Sequence, residues 1–71
     1  MEISKEILNI INHAKEPLET KEVEKEVKGK FASASRTQVM YRLKLLGTKG
    51  LIHGKMIGSG KGIWIWWKKV V

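Results

Sequence analysis

The strongest indication of the fold is one stretch of the sequence, Ser35-Arg36-Thr37-Gln38-Val39-Met40-Tyr41-Arg42-Leu43-Lys44-Leu45-Leu46-Gly47. Its first four residues fit the S/T-x-x-E/Q capping box that opens a helix. Val39, Leu43 and Leu46 recur at i, i+4 and i+7, the spacing of one buried helix face. Gly47 is expected to end the helix. The stretch therefore predicts a helix with a single buried side.

Two strands joined by a glycine-rich turn are predicted after this helix. Leu51-Ile52-His53-Gly54-Lys55-Met56-Ile57 and Ile63-Trp64-Ile65-Trp66-Trp67 are rich in β-branched and aromatic residues. Gly58-Ser59-Gly60-Lys61-Gly62 between them suits a hairpin tip, where positive φ is common. It is not a P-loop, because Lys55 and Gly62 stand where that motif requires glycine and Ser or Thr.

Two further helices are predicted upstream, and the second of them is short. Ser4 is expected to cap the first, whose apolar residues recur at helical spacing until Pro17 ends it. These residues are Ile3, Ile7, Ile10, Ile11 and Ala14. Thr20 is the expected cap of the second helix, which carries Val23 and Val27 and closes at Gly29. Leu18 and Phe31, in the connecting segments, are expected to reach the core.

The order of these elements resembles the winged helix-turn-helix family of small archaeal and bacterial transcription regulators. The resemblance is carried by the run S-R-T-x-V…R-L-x-x-L…K-G-L-I within residues 35–52 and by the glycine-tipped hairpin that follows. It departs at residues 28–34, a segment longer than the usual helix-turn-helix turn. The resemblance implies one α+β domain over residues 1–71, with three helices followed by a two-stranded β-hairpin wing.

Charge is strongly segregated along the chain. All 7 acids lie within residues 2–26, where they oppose four lysines, whereas residues 27–71 carry ten bases and no acid. The first part has a net charge of −3 and the second +10. A long segment without acids favours a polyanionic partner. A solvated lysine-rich surface is the alternative, since the Lys- and Glu-rich composition without Asp is typical of thermophiles.

The exposed side of the third helix has the chemistry of a DNA-reading surface. Thr37, Tyr41 and Lys44 point away from the buried stripe, and Gln38 flanks them. In a major groove, glutamine can contact adenine, threonine the thymine methyl group, and lysine guanine or a phosphate. The alternatives are ordinary solvated polar residues and, for Tyr41, a half-buried position beside the second helix.

Further basic or helix-terminal residues are candidates for phosphate contacts. They are Ser35, Arg36, Arg42, Lys55, Lys61 and Lys68. The resemblance then implies that helix 35–46 lies in the major groove of double-stranded DNA, with wing 58–62 on the flanking backbone or in the minor groove. The partner would be duplex DNA, and the protein would act in transcription regulation.

The tryptophans leave other interpretations open. Strand alternation puts Trp64 and Trp66 on one face and Ile63, Ile65 and Trp67 on the other, so one set is expected to be partly exposed. The aromatic residues can extend the core, form a partner surface, or stack on unpaired bases. A protein-interaction module or small subunit of a nucleic-acid-processing complex, using the Trp64/Trp66 face, is the main alternative function. A homodimer or protein partner would use helix 1 or this strand.

Several classes are not favoured by the sequence. His13 and His53 are isolated, and there is no cysteine, so we expect no catalysis, no metal and no cofactor. No apolar run is long enough for a membrane span, and residues 1–6 lack the order of a signal peptide. We therefore expect a cytoplasmic, nucleoid-associated protein without a small-molecule ligand.

Overall fold

The computed structural model describes residues 2–70, which form three helices and three strands. In chain order these are α1 (Glu2–His13), β1 (Leu18–Glu19), α2 (Thr20–Lys30), α3 (Arg36–Thr48), β2 (Ile52–Ile57) and β3 (Ile63–Lys68). The strands form one antiparallel sheet in the order β1-β3-β2. The α+β prediction, with three helices ahead of a hairpin wing, is confirmed, and β1 adds a third strand to the predicted pair.

The core lies where the three helices meet one face of the sheet. The predicted stripe of α3, Val39, Leu43 and Leu46, is buried at its centre. The other buried apolar residues are Ile7, Ile10, Ile11, Val23, Val27, Ala34, Ile52 and Trp66. Leu18 and Phe31 pack against this cluster as expected. No helix within residues 2–70 is long and apolar enough to cross a membrane.

The starts of α1 and α2 differ from prediction. α1 begins at Glu2, so Ser4 lies inside the helix and does not cap it. α2 begins at Thr20 itself, with Glu19 as the N-cap. The backbone N–H of Glu19 donates to Oε1 of Glu22 at 2.7 Å. Thr20 does not cap α2, and its buried hydroxyl instead accepts a hydrogen bond from Trp66 on β3.

The prediction that Gly29 and Gly47 end their helices is wrong, because both residues lie within helices. Gly29 is inside α2, which continues to Lys30. Gly47 is inside α3, which continues to Thr48. The α3 end is made by Gly50 at φ 77°: its N–H donates to the carbonyl of Gly47, and the N–H of Leu51 donates to that of Leu46, both at 3.0 Å. This pattern is a Schellman motif.

Trp66 joins the sheet to the start of α2. Its ring lies over Gly54 on β2, where an added Cβ would fall 2.2 Å from the ring. Its Nε1 donates to Oγ1 of Thr20 at 2.8 Å, and only 2% of the residue is exposed. Trp64, half-buried, stacks on Trp66 with ring centroids 5.2 Å apart. Of the interpretations left open for the tryptophans, a place in the core is confirmed for Trp66, whose buried side chain does not form an exposed surface.

Candidate nucleic-acid interface

The exposed face of α3 is arranged as the helical spacing predicts. Thr37, Tyr41 and Lys44 are all exposed on the side opposite the buried stripe. Tyr41 is 61% exposed, so the alternative of a half-buried position beside α2 is wrong. The guanidinium carbon of Arg42, a half-buried residue, lies 5.5 Å from the Tyr41 ring centroid. This distance is within the range of a cation–π contact.

The capping box at the start of α3 is confirmed and limits what Gln38 can do. Ser35 Oγ accepts from the backbone N–H of Gln38, and Gln38 Oε1 accepts from the backbone N–H of Ser35, both at 3.1 Å. A bidentate contact with adenine uses both the amide oxygen and the amide nitrogen of glutamine. Gln38 would have to give up its capping bond to make that contact.

Arg36, the first residue of α3, is held by an acid from α2. Its Nε donates to Oε1 of Glu24 at 3.0 Å, while Lys28 Nζ lies 3.0 Å from Oε2. These hydrogen bonds, from Lys28 first and then Arg36, hold the pKa of Glu24 below its ordinary value. Residues 27–71 contain no acidic residue. In the folded chain, however, the carboxylate of Glu24 lies against the start of α3.

A groove separates the start of α3 from the wing. We call it the α3–wing groove; it has a volume of about 310 Å³. Three cations line it: Arg36 from α3, Lys61 from the wing tip and Lys21 from α2. Met40 and Trp64 contribute apolar surface, and Glu19 also reaches it. Of the predicted site residues, the structure brings Arg36 and Lys61 together here.

Lys44 lies beyond the groove, on the other side of Trp64. Its Nζ is 5.6 Å from the Trp64 ring centroid, within the range of a cation–π contact. Trp64 therefore borders both the α3–wing groove and the surface that carries Lys44. The wing tip itself carries positive φ at Gly58, Gly60 and Gly62, as the glycine-rich turn predicted.

Two predicted lysines lie elsewhere. Lys55 is opposite Ile65 in the β2–β3 register, on the sheet face that points away from Trp66 and the helices. Lys68 is at the far end of β3 and lines a different groove with Ala14, Lys15 and Trp67. It is about 17 Å along the strand from Ile63, the first residue of β3 after the wing tip, at ~3.3 Å per residue. Neither joins the cations of the α3–wing groove.

Sequence reasoning missed Lys21, Met40 and Glu24. Lys21 belongs to the acidic part of the chain, so segment charge gave no reason to select it. Glu24 and Lys28 have the i, i+4 spacing of a helical ion pair, which was a usable signal. The contact between Glu24 and Arg36 joins two helices and has no local sequence signature.

The sequence of this chain matches a known protein family. A family model described as the ribonuclease R winged-helix domain matches residues 5–63. The chain belongs to this winged-helix family. No curated protein and no solved structure matches the chain significantly.

Membership confirms the winged-helix resemblance and indicates nucleic-acid binding in general. The match begins within α1 and ends at the first residue of β3. The tryptophans of this winged-helix domain therefore lie beyond the matched range, although Trp64 and Trp66 contribute to its groove and core.

Proposed function

We propose that this winged-helix domain is a non-catalytic binder of double-stranded DNA and acts as a small transcription regulator. Helix α3 would enter the major groove, and wing 58–62 would hold the flanking backbone or minor groove. The observation that carries the proposal is the exposed face of α3, where Thr37, Tyr41 and Lys44 lie in one row opposite the buried stripe.

The dimensions of α3 support this arrangement. Thr37 and Lys44 are seven residues apart, about 10 Å along the helix axis, which corresponds to about three base-pair steps. A major groove about 12 Å wide accepts one helix. Because the buried stripe faces the core, the outer side of α3 is free to approach base edges.

The α3–wing groove suits the DNA backbone that borders the major groove. Arg36, Lys61 and Lys21 line it with positive charge, and Lys44 adds a cation beyond Trp64. Phosphate contacts fix the orientation of a protein on the duplex, while the neighbouring helix reads the bases. The same rigid unit therefore carries both kinds of contact.

Salt-titrated binding to a labelled duplex, followed by fluorescence anisotropy, tests the proposal. We expect a log–log slope of about −4 to −8, for about 5–9 neutralised phosphates. Lys61→Ala should weaken binding to all sequences alike. Lys5→Ala is the matched control, since it removes the same charge from α1, far from the groove in sequence and without an ion pair within residues 2–70.

Two further probes separate the competing interpretations. Duplex RNA and single-stranded DNA of the same sequence should bind more weakly than duplex DNA. Tighter binding to the single strand would instead favour base stacking on Trp64. Duplex affinity that does not change with salt would contradict the proposal.

A further inference from the structure

Glu24 is an acid placed beside Arg36, one of the cations that line the α3–wing groove. It projects from the middle of α2, and its side chain is only 14% exposed. Each carboxylate oxygen serves a different cation: Oε1 accepts from Arg36 Nε and Oε2 lies against Lys28 Nζ, both at 3.0 Å. Because Lys28 offsets part of the negative charge, the three side chains together keep a net charge of +1.

The contact with Glu24 uses only one edge of the Arg36 guanidinium. The bond is made by Nε, and no hydrogen bond between residues 2–70 involves either Nη group. The Arg36 side chain is 64% exposed and lines the α3–wing groove together with Lys61. The free Nη edge is a planar pair of donors, and this geometry matches two oxygens of one phosphate.

We infer that Glu24 is a positioning residue for nucleic-acid binding, which holds Arg36 with its free Nη edge available to a backbone phosphate at the start of α3. The inference rests on the proposed function. An exposed arginine samples many rotamers, and immobilising it on binding reduces affinity. A carboxylate that fixes Nε in the free protein removes part of that cost before the nucleic acid arrives.

Charge alone predicts the opposite effect of removing Glu24. A carboxylate near the phosphates repels them, so its loss should strengthen binding if its charge were its only influence. If Glu24 positions Arg36, its loss should weaken binding although the protein becomes more positive. The sign of the change in affinity therefore distinguishes the two roles.

The experiment measures dissociation constants of Glu24→Ala, Glu24→Gln and Arg36→Lys, with labelled duplex DNA and duplex RNA of one sequence as probes. Glu24→Ala should weaken binding by about threefold to tenfold, the range expected for one long side chain that must be ordered on binding. Glu24→Gln should restore affinity, because the amide oxygen still accepts from Arg36 Nε. In an Arg36→Lys background, Glu24→Ala should no longer weaken binding, because lysine lacks the paired Nη donors that Glu24 would position.

The matched control is Glu26→Ala. Glu26 lies on the same helix and is exposed, and within residues 2–70 it forms no ion pair. Its removal changes the net charge equally and should leave binding unchanged or slightly stronger. Thermal unfolding of every variant accompanies the binding data, so that a loss caused by unfolding is recognised. If Glu24→Ala does not fold, Glu24→Met, which also lacks an acceptor for Arg36 Nε, is compared in the Arg36 and Arg36→Lys backgrounds and should show the same coupling.

The outcomes for the inference and for the proposed function are separate. Equal or tighter binding by Glu24→Ala, or an equal loss in the Arg36→Lys background, would overturn the positioning role. A wild-type protein that binds duplex RNA but not duplex DNA would overturn the proposed function, and the coupling would then be judged on RNA. A wild-type protein that binds neither duplex would overturn both.

Discussion

Two tryptophans lie on the same face of β3, at opposite ends of the sheet, and their surroundings differ. At the base of the sheet, Trp66 is 2% exposed and belongs to the core. Two residues earlier, at the wing end, Trp64 is half-buried and lines the α3–wing groove. The rings stack on each other, so the groove surface rests directly on the core.

The difference comes from what lies opposite each ring. Trp66 faces Gly54 on β2, which leaves room for the indole, and Thr20 on α2, which accepts its N–H. Trp64 faces Met56, which is itself 50% exposed. The neighbours on β2 and α2, and not the tryptophan itself, therefore divide the sheet into a buried base around Trp66 and a more exposed wing end around Trp64. The following changes test that division.

The largest effect is expected from Gly54→Ala. The new Cβ would lie 2.2 Å from the Trp66 ring, so the ring or β2 must move. Overpacking of this kind costs about 1–3 kcal/mol and occasionally more, and we expect the upper end. The measurement is the free energy of unfolding in denaturant. Gly29→Ala is the control, since nothing lies within 4 Å of its Cβ position in α2, and it should stabilise by about 0.5–1 kcal/mol.

Thr20→Val should have the next largest effect. Valine keeps the shape of threonine but leaves Trp66 Nε1 buried without its acceptor. An unsatisfied buried donor costs about 1–3 kcal/mol. The control is Thr48→Val, whose hydroxyl donates to the Lys44 carbonyl at an exposed position, and which should change stability by less than about 0.5 kcal/mol. Equal losses in the two variants would show that the Trp66 bond does not stabilise the base.

At the wing end, Lys61→Ala should change binding and leave stability nearly intact. Lys61 is exposed and lines the α3–wing groove. Loss of one phosphate contact should reduce the magnitude of the salt slope by about 1. Lys68→Ala, at the other end of β3, should change the slope much less. A larger effect of Lys68→Ala would place the backbone contact at the base of the sheet and contradict the division.

The smallest effect concerns the pH dependence of stability at the start of α3. Lys28 and Arg36 hold the pKa of Glu24 below its ordinary value of 4.5. The stabilisation by these bonds is present at neutral pH and is lost as the pH falls from 4.5 through the lowered pKa. The difference in unfolding free energy between wild type and Glu24→Gln should therefore narrow in this acid range. The narrowing should be weaker in a Lys28→Ala, Arg36→Ala background.

The features that follow a fixed local spacing could be predicted from the sequence. The capping box of Ser35 and Gln38 and the stripe of Val39, Leu43 and Leu46 depend on residues within a few turns of each other. The same holds for the exposed row that starts at Thr37 and for the glycine-rich wing tip. In each case the backbone period determines which side chains share a face.

The features that join distant segments could not be predicted. β1 has two residues, too few for an alternating pattern, and it forms because Leu18 meets Trp66 in the folded chain. The bond between Thr20 and Trp66 spans 46 residues, and that between Glu24 and Arg36 spans 12. Gly47 was expected to end α3 only because it is a glycine. In the structure the Schellman hydrogen bonds form around Gly50, which has a positive φ.

The position of β2 at the edge of the sheet has a consequence for Lys55. The order β1-β3-β2 leaves one side of β2 without a neighbouring strand in the described chain, and all of its residues except Ile52 are exposed. An uncovered edge with Met56 and Ile57 is a template for pairing with another copy, and a charged side chain in such a strand opposes that association. Lys55 places one such charge on this edge, beside Met56 and away from the α3–wing groove.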